Sequence, residues 1–143
     1  MPPVNPTPPS AVLFVDDEKP FVEAMTQLLG KNLSCPILGY TRPTEALADL
    51  PHHEVRVIVT DYSMPDMNGI EFLHRAHALR PEAAAIMITG HQAELAGTDF
   101  SRVPGLRETI FKPVSWRTLL ERIIKHWPDG NPPLLKDGIA GQW

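Results

Sequence analysis

Five times along this chain a short run rich in Val, Ile or Leu gives way to a stretch where apolar residues return every three or four positions. The runs are AVLFV (11–15), PILGY (36–40), RVIVT (56–60), AAIMI (84–88) and RETIF (107–111). Short β-branched runs read as strands buried on both faces, and the wider spacing reads as amphipathic helix. Regular alternation leaves little choice of architecture, because parallel strands need a crossover and that crossover is right-handed. The expectation is an α/β fold: one doubly wound (βα)5 domain around a five-stranded parallel sheet. RETIF is the most polar run and belongs at an edge.

The intervening segments place the helices. Pro20 suits the first turn of a helix whose apolar face carries Phe21, Met25, Leu28 and Leu29. A short helix runs through Ala46, Leu47 and Leu50, and another spans 69–79. The last starts at Ser115, a good N-cap, with a stripe of Trp116, Leu119, Leu120, Ile123, Ile124 and Trp127 for packing on the sheet. The fourth helix is the weakest, since HQAELAGTDFSRVPG contains Gly97, Pro104 and Gly105 and has a poor stripe. Residues 1–10 hold five of the sixteen prolines and read as an extended leader. The domain then covers 11–127, and 128–143 read as a tail or linker stub with scattered Leu134, Leu135, Ile139 and Trp143.

A length of 143 residues suits one domain able to bury roughly 70 % of its unfolded surface. The net charge of −4 gives no electrostatic reason to bind nucleic acid or an anionic membrane. Cys35 stands alone, which rules out an internal disulfide and fits a reducing compartment. With no apolar stretch of spanning length and no signal-peptide pattern at the start, the expected location is cytoplasmic. The pairs His52–His53 and His74/His77 lack a Cys or carboxylate at a zinc spacing and read as solvated.

Chemistry gathers at the ends of the strands. AVLFV ends in Asp16, Asp17 and Glu18; RVIVT in Asp61; AAIMI in Thr89 and Gly90; RETIF in Lys112 and Pro113. If the strands are parallel, these polar ends share one edge, where open α/β sheets place their sites. The carboxylates of Asp16, Asp17 and Asp61, a hydroxyl and an ammonium there form a site for a divalent cation and a phosphoryl group. Asp61, which ends the third strand and begins the DYSMPDMNG loop, is the candidate phosphoacceptor. Asp16 and Asp17 would hold the cation, and Mg²⁺ suits such a hard oxygen site. Glu18 fits the plainer role of negative charge at a helix N-terminus.

LFVDDE, VTDYSMPDMNG, MITG and IFKPV, in this order and spacing, resemble the receiver domain of bacterial two-component response regulators. The match runs from about Ala11 to His126, and four motifs in register are far more specific than one. The resemblance implies a flavodoxin-like fold with strand order 2-1-3-4-5. It implies that Asp17, Asp61 and the backbone carbonyl of Ser63 ligate Mg²⁺ while Asp16 helps through water. Lys112 would bridge a carboxylate at rest and a phosphoryl oxygen afterwards, and Thr89 would donate its hydroxyl to another. Pro113 would follow a cis peptide. Ser63 and His91 occupy the variable positions that tune the lifetime of the phosphoryl group. Thr109 stands where many receivers carry an aromatic ring that rotates inward, and threonine has no ring to rotate.

The function so implied is a phosphorylation-controlled switch, not a conventional enzyme, that catalyses its own phosphorylation and dephosphorylation. Its partners would be a sensor histidine kinase or phosphotransfer protein and a downstream protein target. A homodimer stays open. Residues after the last helix are too few for an output domain, so output would come by protein contact, by relay, or from a domain outside this chain, as in a hybrid kinase or multidomain regulator. Two rivals fit less well. An aspartate-nucleophile phosphohydrolase of the haloacid-dehalogenase type needs Asp-x-Asp after the first strand, whereas here the nucleophile follows the third and position 63 is Ser. A flavin binder would want Ser, Thr and Gly amides after the first strand, where this chain is acidic.

Overall fold

The computed structural model describes residues 9–90 and 92–136. All five expected strands form: β1 (Ser10–Val15), β2 (Ile37–Tyr40), β3 (Glu54–Asp61), β4 (Ala84–Thr89) and β5 (Leu106–Phe111). They pair in parallel in the order β2-β1-β3-β4-β5, the flavodoxin-like arrangement. β3 lies at the centre and is buried from Val57 to Asp61, while β5 at one edge is only half-covered. The polar residue that makes β5 an edge is paired: Glu108 accepts from Arg122 at 3.1 Å and contacts His126 Nε2 at 2.8 Å.

Helices α1 (Lys19–Asn32), α2 (Pro43–Asp49), α3 (Gly69–Leu79), α4 (Gln92–Leu95) and α5 (Trp116–Lys125) connect and flank the strands. Local chemistry explains the firm boundaries. Pro20 and Pro43 occupy first-turn positions of α1 and α2. Asn68 caps α3 by accepting from the Glu71 amide at 2.9 Å, and Ser115 caps α5 by accepting from the Thr118 amide at 3.1 Å. The α1 face differs from the sequence expectation: its buried residues are Val22, Met25 and Leu29, while Phe21 and Leu28 are only half-buried. α4 is a single turn. Among the described residues no helix is long and apolar enough to cross a membrane.

The core splits across the sheet. Val12, Phe14, Val57, Val59, Ile86 and Ile88 pack with Met25, Leu29, Leu119, Leu120 and Ile123 of α1 and α5. Leu13, Val15, Val55, Ile58 and Ala85 pack on the other face with Ala46, Phe72, Leu73 and Val103. Two register shifts set this division. Ala11 pairs with Val55 but Val12 with Val57, and Ala85 pairs with Leu106 but Ile86 with Glu108. Arg56 and Arg107 are therefore extra residues, and each reverses which side chains of its strand face α1 and α5.

At the end of the sheet opposite the strands' C-terminal ends, Leu135 forms an antiparallel bridge with Leu33. Ser34 donates its amide to the Leu134 carbonyl, and Lys136 donates its own to the Asn32 carbonyl, both at 3.0 Å. The segment after α5 thus lies along the α1–β2 connection. Ile139 and Trp143 lie outside the described residues, as does most of the Pro-rich leader.

Candidate functional site

Because the strands are parallel, their C-terminal ends bring the expected side chains to one edge. Asp16, Asp17 and Asp61 each place a carboxylate oxygen within 4.8 Å of the others, and among the described residues no other group of three His, Cys, Asp or Glu could hold a metal. Asp16 is fully buried and Asp61 nearly so, while Asp17 is exposed. Two ionised carboxylates that close repel by about 3–4 kcal/mol at an effective dielectric of 20. The fold meets that repulsion with one cation, Lys112, whose Nζ lies 3.0 Å from Asp16 and 3.5 Å from Asp61.

Titration follows from these positions. Burial pushes Asp61 up to about 6, helped by the negative charge of Asp16 and opposed by Lys112 and by the Tyr62 amide. Asp16 is likewise raised by burial, against the Glu18 amide at 2.9 Å and Lys112. For Lys112, burial alone would favour the neutral amine, but its hydrogen bond to Asp16 and the charges of Asp16, Asp61 and Glu18 outweigh that and raise it. The ammonium is therefore fixed as a cation. The net excess of buried negative charge beside an open face fits a small divalent ion.

Asp61 is aimed by its own loop. Its Oδ1 accepts from the Tyr62 amide at 2.9 Å, Thr60 donates its hydroxyl to the Asp61 carbonyl at 2.9 Å, and Tyr62 donates its amide to Ile88 of β4 at 3.0 Å. Gly69 closes the loop by donating to the Tyr62 carbonyl at 2.7 Å. A Cβ at this glycine would sit 2.5 Å from the Asp61 carbonyl and 3.1 Å from Tyr62 Cα, so only glycine permits the approach. Asp66, in the left-handed region at φ 66°, pairs with Arg42 at 3.3 Å and ties this loop to the start of α2.

An open hollow of about 250 Å³ lies over the site, lined by Asp17, Glu18, Asp61, Ser63, Gly90 and Lys112. Thr89 is the buried last residue of β4, and its carbonyl accepts from the Lys112 amide at 2.8 Å. The Lys112–Pro113 peptide is cis. Thr109 is not at this edge. It pairs in register with Met87 and lines a separate hollow of about 310 Å³ with Phe100, Ser101 and Leu106. His91 lies outside the described residues.

Glu18 stands at the helix N-terminus where the sequence reading put it, and it has a second contact that reading did not give. It occupies the N-cap of α1 but makes no side-chain capping bond. Its carboxylate instead reaches Lys112 at 3.4 Å. The Lys112 ammonium also lies 5.0 Å from the centre of the Phe21 ring. Nothing local signals either contact, because the partners are more than ninety residues apart in sequence. The helical spacing that assigned Phe21 to the core face is borne out, since the ring packs against that core, but it gives no sign of the contact with Lys112.

This arrangement can hold a cation and an anion side by side, with a buried carboxylate at the meeting point. Comparison with known proteins gives the family. The chain belongs to the response regulator receiver domain family, which matches residues 12–124. It is 33 % identical over 112 residues to a response regulator receiver protein of Anaeromyxobacter sp. (strain Fw109-5), covering 76 % of this chain and 45 % of that protein. It is 32 % identical to the hydrogenase transcriptional regulatory protein HoxA of Cupriavidus necator, covering 93 % of this chain and 25 % of the relative. Among solved structures, a CheY-like receiver domain protein of Methanospirillum hungatei JF-1 superposes with a TM-score of 0.72 at 33 % identity, covering 81 % of this chain and 91 % of that one. The chain spans less than half the length of the first curated relatives it matches.

Proposed function

We propose that this receiver domain takes a phosphoryl group from a phosphohistidine onto Asp61 and passes the change on through protein contacts. The observation that carries the reading is the placement of Asp61. It is a buried carboxylate at the floor of an open hollow, beside two further carboxylates and 3.5 Å from an ammonium.

Asp61, ionised at neutral pH with a pKa near 6, attacks phosphorus with a carboxylate oxygen. The P–N bond breaks, its electron pair stays on the imidazole, and the product is an acyl phosphate. Asp17, Asp61 and the Ser63 carbonyl would hold Mg²⁺ with Asp16 close by, and the ion when bound offsets negative charge on the carboxylates and the phosphoryl oxygens. Lys112 and the Thr89 hydroxyl would receive two of the phosphoryl oxygens. Slow loss of the group to water returns the site to rest, with Ser63 and His91 setting its lifetime. The phosphodonor is a sensor histidine kinase or phosphotransfer protein in the cytoplasm, where the lone Cys35 remains a thiol. Output goes to a downstream protein target.

The test is incubation with acetyl phosphate and Mg²⁺, followed by intact mass measurement. One base-labile phosphoryl group is expected on the wild type and none on Asp61→Asn. An Asp61→Asn protein that gains the group at the wild-type rate would remove Asp61 from the reaction.

A further inference from the structure

We propose that Glu18 and Phe21 are positioning residues that hold Lys112 on the β1–α1 side of the site and compete with the phosphoryl group for its ammonium. This rests on the reading of Asp61 as acceptor and Lys112 as its cationic partner. Asp16 and Glu18 on the segment that joins β1 to α1, and Phe21 in the first turn of α1, surround the ammonium at 3.0 Å, 3.4 Å and 5.0 Å to the ring centre. Asp61 touches it from the other side at 3.5 Å.

The cradle is fixed in place. The Glu18 amide donates to Asp16 Oδ1 at 2.9 Å, which sets the turn that carries its side chain. Phe21 is half-buried, with its ring against Phe14 at 5.8 Å between centres, so it cannot follow Lys112 when the ammonium moves. An acyl phosphate on Asp61 brings close to two negative charges to the far side of Lys112. To meet them the ammonium leaves a carboxylate and an aromatic face. Each of those contacts is of the size that changes a binding constant by about two- to fivefold when lost from an exposed or half-exposed site.

The experiment titrates the full chain with beryllofluoride, a phosphoryl mimic, at saturating Mg²⁺ for each variant, following amide signals. It also records the Lys112 side-chain ¹³Cε signal in the metal-free protein. Glu18→Gln and Phe21→Leu should each tighten beryllofluoride binding by about two- to fivefold and shift the resting Lys112 signal. Glu18→Asp keeps the charge but withdraws it by one methylene, and should behave like Glu18→Gln. In a Lys112→Ala background Glu18→Gln should have no effect. Wild-type affinity in Glu18→Asp, or tightening by Glu18→Gln that persists without Lys112, would show general charge repulsion and overturn the cradle. Equal binding by wild type, Glu18→Gln and Phe21→Leu would overturn it while leaving Asp61 and Lys112 in their roles. A wild type that gives no Mg²⁺-dependent response, or the same response as Asp61→Asn, would overturn the acceptor reading and the cradle together.

Discussion

On one face of the sheet, α1 and α5 lock onto β1, β3 and β4 through an unbroken cluster running from Val12 to Trp127. On the other, α2 and α3 make a comparable cluster, but the region after β4 contributes little to it. α4 is one turn long, and its buried Leu95 belongs to neither cluster; Val103 is the buried anchor of the segment that follows. The weakly held region begins directly after Thr89, at the edge of the site. The molecule thus separates a face that carries its stability from a stretch that a few kcal/mol of new contacts could reorder.

Core truncations test that separation with the largest expected effect. Leu119→Ala removes a fully buried side chain from the α5 layer and should cost about 3–4 kcal/mol, whereas Leu95→Ala should cost about 1–2 kcal/mol. Urea unfolding midpoints decide it. Equal losses would mean that α4 is as firmly built in as α5.

A second change touches neither face and measures what the site itself costs. Asp61 has a folded pKa of about 6 against an ordinary value of 3.8, so between these values the native state holds more protons than the unfolded chain. Stability is therefore lost as pH rises through this window, and the full penalty stands above it. In metal-free protein at pH 8, Asp61→Asn should stabilise by about 2–3 kcal/mol, and the gain should fade toward pH 4. Mg²⁺ at ten times its Kd should stabilise the wild type by about 1.4 kcal/mol, and Asp61→Asn by less. Thermal unfolding across pH with and without the ion reports both. A gain from Asp61→Asn that is as large at pH 4 would show that charge is not its source.

Two glycines sharpen the comparison within the weak stretch. Gly97 and Gly105 both have positive φ, at 82° and 75°. Around Gly97 a Cβ would meet nothing within 4 Å, but at Gly105 it would lie 3.0 Å from the Ala83 carbonyl, where the chain re-enters β5. Gly97→Ala should cost about 1 kcal/mol from backbone conformation alone, and Gly105→Ala about 2 kcal/mol. A reversed order in unfolding experiments would put the rigid boundary before Gly97.

The smallest effect is the most directional. With beryllofluoride and Mg²⁺, amide exchange should slow most between Ala93 and Gly105 and little in the body of α5. Thr109 offers no ring to rotate toward the site, so movement of the stretch after Thr89 is the expected route of the signal. Protection confined to α5, with 93–105 unchanged, would break the link between weak packing and switching.

Much of this was legible in the amino-acid order. The five apolar runs became the five strands, and Pro20 and Ser115 set helix starts, because strand burial, capping and proline geometry act over a few residues. The convergence of Asp16, Asp17, Asp61 and Lys112 was also legible, since parallel strands must end on one edge. Tertiary structure decided the rest. Arg56 and Arg107 could be recognised as extra residues only once their strands were paired, and they determine which face receives each side chain beyond them. The contact of Lys112 with the Phe21 ring, the reach of Glu18 and the docking of Leu135 on Leu33 depend on partners distant in sequence. Local propensity carries no record of such contacts; they exist only when the chain has closed around its sheet.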